Sequence, residues 1–257
     1  MKILNEIISS LLGKTTKLDI SKLPSQGYFY PKDLELKIKK ASIEDIIEYE
    51  YNFKPDNVLE IIEIIKKFVR KNLIFNKSYC FEDLKSIDII FIFLEIVKFT
   101  NNKPIKISYF DSNLKKSNEI DFNSNLFNYF DFKIYDKFYS KNELAFEIDG
   151  FKFSMPSIGI ENALTNFLLR KIDDSNASYY NQKSYDFLFF LGNKNDLTDD
   201  EIENLIIIFN YDIDEDEKIN VKKIISKFKD LIGYSIRVDD KIIDLKSNLD
   251  LENIWKE

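Results

Sequence analysis

Three groups of residues in this chain have types and spacings that occur in chemical sites. The first is the tripeptide Gly13-Lys14-Thr15. This tripeptide is similar to the end of a phosphate-binding loop, in which backbone amides and a lysine hold phosphate groups. The complete loop motif has an earlier glycine, at a position that Ile8 occupies here within a helical pattern. The sequence therefore predicts no nucleotide site at Gly13.

The second stretch is Asp212, Asp214 and Asp216, which alternate in the manner of a calcium-binding loop. Such a loop needs a glycine at its turn and a glutamate at its closing position. Glu217 and Lys223 stand at those two positions. We therefore interpret the aspartates as a solvated acidic loop between helices, and we predict no bound metal.

The third set is aromatic, and its members could stack on the bases of single-stranded nucleic acid. Stacking sites usually combine aromatic rings with Arg or Lys, whereas the neighbours here are as often Asp and Asn. The pattern therefore favours core packing and protein–protein contact, in which aromatic residues are enriched. The set is Tyr28, Phe29, Tyr30, Tyr109, Phe110, Tyr129, Phe130, Tyr179, Tyr180 and Tyr185.

Missing residue types narrow the chemistry further. The chain has no histidine and a single cysteine, Cys80. Histidine-based triads, zinc-hydrolase motifs, internal disulfides and multi-cysteine metal sites are therefore excluded. Cys80 lies between Tyr79 and Phe81, and we predict a buried, inert thiol. The sequence thus predicts no cofactor and no enzymatic activity.

Composition and charge describe an ordinary globular chain with many aromatic residues. Its 257 residues include 23 Phe and 14 Tyr, and its formal net charge is −7. That charge disfavours broad binding to nucleic-acid backbones. The most apolar run, Ile87 to Val97, is interrupted by Asp88 and Glu95 and is too short to span a bilayer. Without an export signal, we expect a soluble protein inside the cell, with neither nucleic acid nor membrane as a partner.

The segment Leu23-Pro-Ser-Gln-Gly-Tyr-Phe-Tyr-Pro31, called the aromatic turn below, must position much of the surrounding chain. It holds one of six glycines and two of five prolines. Pro24 fixes its own φ and keeps Leu23 extended. Gly27 suits the third position of a type II turn, where φ is positive. The segment contains no general base, so its stiffness indicates packing or docking.

The remaining elements predict an α+β fold with a helical N-terminal half and C-terminal helices around short antiparallel sheets. We divide the chain into an N-terminal helical arm and linker (1–22), a part with the aromatic turn, helices and sheet (23–155), and a mainly helical part with a closing hairpin (156–257). The predicted helices are 3–12, 42–51, 56–69, 87–99, 157–171, 177–191, 198–209 and 218–232, and the predicted strands are 34–39, 105–109, 117–123, 130–136, 144–148, 151–153, 234–238 and 241–245, with 13–19 as a polar linker.

The aromatic turn, the strand Leu34–Lys39 and the helix start Ala41-Ser-Ile-Glu-Asp45 together resemble the baseplate hub family of T-even-type contractile-tailed bacteriophages. Ser86-Ile-Asp-Ile-Ile90, which leads into a buried helix and then Ile105–Tyr109, is similar to the family's order of elements. The resemblance covers about residues 20 to 110.

The resemblance implies a non-enzymatic role in building the hub, through contacts with other baseplate and tail proteins and possible self-association. It also implies a place in the host cytoplasm during assembly and in the tail baseplate. Two alternatives stay open: a transient hub-assembly chaperone, and a nucleic-acid-processing enzyme that uses carboxylates and Mg²⁺. The candidate interface or turn residues are Ile3, Ile7, Leu11, Leu23, Pro24, Ser25, Gly27, Tyr28, Phe29, Tyr30 and Trp255.

Overall fold

A computed structural model describes residues 14–53, 58–76, 78–111, 116–122, 132–148, 150–171 and 197–208, the segments 235–238 and 241–244, and scattered positions within 214–226 and 251–255. Within these residues, helices and small antiparallel sheets form separate groups along the chain. This arrangement confirms the predicted α+β class. The predicted helices at 3–12 and 177–191 lie outside the described residues.

A three-stranded antiparallel sheet opens the described chain, in the order β1 (Thr15–Leu18), β2 (Leu36–Lys39), β3 (Leu73–Phe75). Leu18 pairs with Leu36, and Leu36 pairs in turn with Phe75. The prediction of a polar linker over 13–19 was wrong for β1. As an edge strand with only Leu18 buried, β1 lacks the alternation of apolar and polar residues by which a strand is recognised.

Two helices lie between β2 and β3 in the chain, and local capping fixes the start of the first. In α1 (Ile43–Asn52), the Ser42 side chain accepts a hydrogen bond from the Asp45 amide at 3.1 Å, and the Asp45 carboxylate accepts from the Ser42 amide at 3.0 Å. This reciprocal cap confirms the predicted helix start. The second helix, α2 (Val58–Asn72), buries Ile65, Phe68 and Val69 as its sequence pattern predicts.

The helix α3 (Ile89–Asn101) is buried almost all round, as predicted. A single 3₁₀ turn, Ser86–Asp88, leads into it, and the helix ends where Asn102 takes a left-handed conformation with φ 54°. The Asn102 amide then donates to the Lys98 carbonyl at 2.9 Å, which satisfies one of the last helical carbonyls. Within the described part of the chain, no helix is both long and apolar enough to cross a membrane.

Two small sheets follow α3. The first pairs β4 (Lys106–Asp111) with β5 (Lys116–Asp121), and the second has the order β6 (Tyr139–Ser140), β7 (Ala145–Ile148), β8 (Phe151–Phe153). Between β7 and β8, Gly150 has φ 82°. The hairpin predicted from Asp149-Gly150 is thereby confirmed.

The strand predicted at 130–136 was wrong, because Phe132–Phe138 form a 3₁₀ helix. Residues three apart share a face in a 3₁₀ helix, and Phe132 and Tyr135 both contact the Phe146 ring. The apparent alternation in this stretch therefore does not correspond to a two-sided strand.

The C-terminal part contains α4 (Ile158–Lys171) and α5 (Asp199–Ile207). The predicted caps of both helices are confirmed: Ser157 accepts from the Ile160 amide at 3.2 Å, and Thr198 and Glu201 form a capping box. A final hairpin pairs β9 (Ser235–Val238) with β10 (Lys241–Asp244), as predicted. Most of the helix predicted at 218–232 lies outside the described residues.

The buried apolar side chains form two clusters, which we call the first core and the second core. The first core joins the N-terminal sheet to α1, α2 and α3, and the second joins the β6–β7–β8 sheet to α4 and α5. Neighbouring residues enter different cores at three places: Phe29 and Tyr30, Ile87 and Ile89, and Ile158 and Ile160. The two cores are therefore connected by short stretches of backbone at these three places.

The predicted burial of Cys80 was wrong, since its side chain is exposed. The Cys80 amide donates to the Asp83 carboxylate at 2.8 Å at the start of the 3₁₀ turn Phe81–Asp83. This cap places Phe81, rather than Cys80, inside the first core. Partial desolvation and the Asp83 carboxylate raise the pKa of the thiol, so it is a poor nucleophile near neutral pH.

Trp255 fixes the end of the chain to the first core. Its ring centroid lies 5.2 Å from that of Phe68 and 6.2 Å from that of Tyr49, whose hydroxyl donates to the Leu251 carbonyl at 3.0 Å. Of the two roles open from the sequence, this is the anchoring of the tail rather than membership of the last sheet.

We expect Trp255→Ala to lower the free energy of unfolding by about 3 kcal/mol, because it removes a large ring from an aromatic cluster. Trp255→Phe should lose less than half of that, since a smaller ring keeps part of the packing. Urea unfolding followed by circular dichroism measures both. Leu169→Ala is the control, because that side chain is 59% exposed; equal losses at both sites would contradict the anchoring role.

Candidate functional site

The aromatic turn folds as a pair of overlapping hydrogen-bonded turns. The Gln26 amide donates to the Leu23 carbonyl at 2.8 Å, and the Tyr28 amide donates to the Ser25 carbonyl at 3.1 Å. Gln26 and Gly27 have φ values of 54° and 77°. Positive φ at both central residues is typical of a type I′ turn, so the predicted type II turn was wrong.

A buried carboxylate holds this turn in place. Asp88 lies on the 3₁₀ turn before α3 and is fully buried. One of its oxygens accepts a hydrogen bond from the Ser25 amide at 2.8 Å, and the other accepts from the Tyr30 hydroxyl at 2.7 Å. The Tyr30 oxygen itself accepts from the Lys85 amide at 2.8 Å. Asp88 therefore binds both ends of the aromatic turn.

Burial shifts the titration of this network. It raises the pKa of Asp88 to about 6, against the opposing effect of the hydrogen bonds from Ser25 and Tyr30. It lowers the pKa of Lys85 to about 7, and burial together with Asp88 raises the pKa of Tyr30. Groups that titrate near neutral pH can transfer protons in active sites. Here Asp88 is 0% and Lys85 1% exposed, so a substrate cannot reach them and the network is structural.

The residues selected from the sequence differ in their exposure to solvent. Four are buried: Leu23, Ser25, Phe29 and Tyr30. Four are half-buried, namely Pro24, Gly27, Tyr28 and Trp255, and three lie outside the described residues, namely Ile3, Ile7 and Leu11. Leu23 and Tyr30 pack in the first core, and Phe29 packs in the second. The aromatic turn thus joins the two cores, and Tyr28 is the most exposed of its three aromatic side chains.

A cleft of about 850 Å³ lies beside the aromatic turn. Three lysines, Lys32, Lys133 and Lys141, and three tyrosines, Tyr28, Tyr30 and Tyr139, contribute to its lining. This volume is within the range of small-ligand and peptide sites. The sequence did not indicate the cleft, because its far wall comes from residues 133–144, part of which was assigned to a strand.

The outer face of α1 is a second feature that the sequence analysis missed. Ile43, Ile47 and Tyr51 are 75%, 58% and 76% exposed. Each residue advances a helix by about 100°, so these three side chains form one stripe about 80° wide. Glu44 and Glu50 flank that stripe on the helix. The spacing was visible in the sequence, but Ile46, Tyr49 and Phe53 form a competing apolar face. Tyr49 and Phe53 of that face pack in the first core, and Ile46 is half-buried.

The other chemical motifs do not form sites in the described chain. Lys14 precedes β1, and its carbonyl accepts from the Lys40 amide at 3.0 Å, as part of the sheet edge. The Asp216 amide donates to the Asp214 carboxylate at 2.8 Å, while Asp212 lies outside the described residues. Among the described positions, no three cysteine, aspartate or glutamate side chains are placed to hold a metal ion.

We expect Tyr30→Phe to destabilise the protein by about 2–3 kcal/mol, because it removes a donor to buried Asp88 and an acceptor for the Lys85 amide. Urea unfolding measures the change. Tyr79→Phe is the matched control: its hydroxyl donates to Asp33 at 2.5 Å near the surface, so we expect a loss below about 1 kcal/mol. Similar losses in the two variants would show that the buried network does not anchor the turn.

Asp88 also predicts a pH dependence of stability. Its pKa of about 6 in the folded protein exceeds the ordinary value of 3.8, so between these values the folded chain binds a proton that the unfolded chain has released. We therefore compare the free energy of unfolding of wild type with that of Asp88→Asn. The difference, wild type minus variant, should fall by about 2–3 kcal/mol as pH rises from 4 to 7. Urea unfolding of both proteins across that range measures the difference. A difference that is constant or grows with pH would contradict the raised pKa.

Comparisons of the chain with protein-family models, with curated proteins and with solved structures find no match. The features on which a function can rest are therefore those of this molecule: the aromatic turn on Asp88, the cleft beside it, and the outer face of α1.

Proposed function

We propose that this chain is a structural or assembly component of the baseplate hub of a contractile-tailed bacteriophage, and that it acts through contacts with other proteins. The proposal joins the resemblance of residues 20 to 110 to the surface of the folded chain. On this proposal the protein functions in the host cytoplasm during assembly and in the baseplate.

The observation that carries the proposal is the exposed stripe of Ile43, Ile47 and Tyr51 on α1. Burying one such side chain contributes about 1.5–3 kcal/mol, so leaving three exposed on one face forgoes considerable stability. Contiguous apolar groups with a polar rim are typical of protein interaction sites. The stripe begins within Ala41–Asp45, one of the stretches that carry the family resemblance.

The support of α1 suits a contact surface. Its start is fixed by the Ser42–Asp45 capping box, and its inner face holds Tyr49, whose ring stacks on Phe53 and Phe93 at centroid distances of 5.2 and 5.5 Å. An ion pair between Lys71 and Glu48 joins α1 to α2. A helix held at its start, inner face and side presents its outer face with little ordering cost on binding.

The aromatic turn has a different part in this proposal. Because Leu23, Phe29 and Tyr30 are buried, the turn sets the relation between the two cores instead of offering these rings to a partner. On this proposal the aromatic turn, which carries the resemblance most strongly, supports the fold. This role agrees with its lack of a general base. The arm of residues 1–12 remains a further candidate contact, argued from its sequence alone.

We expect the tagged chain to co-purify with baseplate proteins from phage-infected cells, and Ile47→Lys to reduce the recovered amount by about tenfold, because a charge replaces an apolar contact. Quantitative mass spectrometry measures the recovery. Leu169→Lys is the matched control, since Leu169 on α4 is 59% exposed and Ile47 is 58% exposed. No baseplate proteins with wild type would overturn the proposal. The same measurement on purified virions separates a subunit, which persists there, from an assembly chaperone, which does not.

A further inference from the structure

The cleft beside the aromatic turn is locally basic, although the chain as a whole is acidic. Among the described residues, its lining contains three lysines and one carboxylate, Asp136, in a protein of net charge −7. One oxygen of Asp136 already accepts a hydrogen bond from the Tyr28 hydroxyl at 2.5 Å. Lys32 and Lys141 are exposed at the cleft, so an incoming ligand would meet ammonium groups first. The cleft therefore selects for negative charge.

The tyrosines of the cleft are engaged through their rings. The Tyr28 ring lies 5.2 Å from Phe132, 5.1 Å from Tyr139 and 5.6 Å from Phe146, measured between centroids. Base stacking on single-stranded nucleic acid needs open ring faces, and three neighbouring rings crowd Tyr28. The remaining groups, ammonium ions with the side chains of Gln26 and Asn142, suit carboxylates and amides. These are the groups of an acidic polypeptide.

The outer face of α1 has the complementary chemistry. The ten residues of α1 include four carboxylates, at Glu44, Asp45, Glu48 and Glu50, and no basic residue. Asp45 is used in the cap and Glu48 pairs with Lys71. Glu44 and Glu50 therefore present negative charge on either side of the apolar stripe. Two copies of α1 would repel each other if they met face to face.

We propose that the basic cleft of one copy of this chain binds the α1 face of a second copy. The inference rests on the proposed function, because it names the neighbouring subunit that covers α1. Glu44 and Glu50 meet the lysines of the cleft, and the apolar stripe meets the edges of Tyr28 and Tyr139. The two surfaces are different parts of the chain, so the contact is head-to-tail. Contacts of this kind close into rings or continue as open chains.

Reciprocal charge reversal tests this contact in the purified full-length chain. One variant, Lys32→Glu with Lys141→Glu, makes the cleft acidic. The other, Glu44→Lys with Glu50→Lys, makes the outer face of α1 basic. All four residues are exposed, and circular dichroism checks that both variants fold. Should the second variant fail to fold, Glu44→Gln with Glu50→Gln replaces it in a test for weakened association.

Light scattering coupled to size-exclusion chromatography measures the mass of each sample against the 30.5 kDa monomer. We expect wild type to self-associate with rising concentration and to dissociate with added salt. Each charge-reversed variant alone should associate about tenfold or more weakly, because like charges then face each other. An equimolar mixture of the two should regain the association, since each α1 face again meets a cleft of opposite charge. A symmetric contact, between two α1 faces or between two clefts, would instead leave one of the two variants associating as wild type does, because that variant keeps the whole contact surface unchanged.

Lys222→Glu with Lys223→Glu is the matched control for the cleft variant, because it makes the same change in net charge at exposed residues that belong neither to the described cleft lining nor to α1. It should keep the wild-type mass. The inference is overturned if wild type is monomeric throughout, if either reversed variant associates as wild type does, or if the mixture fails to restore association. A monomeric chain that still co-purifies with baseplate proteins would overturn this contact and leave the proposed function standing.

Discussion

The carboxylate of Asp88 is the interaction on which the arrangement of this molecule depends. Burying it without partners would be costly, and the chain meets that requirement with the Ser25 amide and the Tyr30 hydroxyl. Because these two donors lie at the two ends of one turn, satisfying the charge also fixes the path of the turn. The turn then sends Phe29 and Tyr30 into different cores. The hydrogen bonds that stabilise the buried Asp88 carboxylate thus also determine how the first and second cores are joined.

The sequence predicted the elements that depend on interactions between residues close together in the chain. It missed most of those that depend on residues far apart in the chain. The capping boxes at Ser42 and Thr198 and the Asp149-Gly150 hairpin depend on residues only a few positions apart. Asp88, in contrast, binds partners 63 and 58 residues away, so the sequence showed it only as a break in an apolar run. The edge strand β1 was missed for a similar reason, because it is a strand only through its pairing with β2. Cys80 is an exception, since the Asp83 cap that leaves it exposed is local.

The candidate site shows the same division. The aromatic turn was identified from its prolines, glycine and rings, which act within ten residues. The cleft was not, because its walls come from the turn and from residues 133–144, and no spacing rule connects two such segments. The spacing of the α1 stripe, an apolar residue at every fourth position from Ile43 to Tyr51, was visible in the sequence. Only the packed structure shows that Tyr49 faces inward and that Ile43, Ile47 and Tyr51 remain at the surface.

The packing of Leu251 and Trp255 against the first core has a consequence for the order in which that core is completed during synthesis. Tyr49 and Leu251, joined by a hydrogen bond, are 202 residues apart. Translation proceeds from the N-terminus, and domains begin to fold as they emerge. The N-terminal sheet and its helices are thus synthesised long before the residues that cover Tyr49 and Phe68. That aromatic cluster therefore stays uncovered until residues 251–255 have been synthesised, so the helices α1 and α2 first fold without the side chains that later cover them.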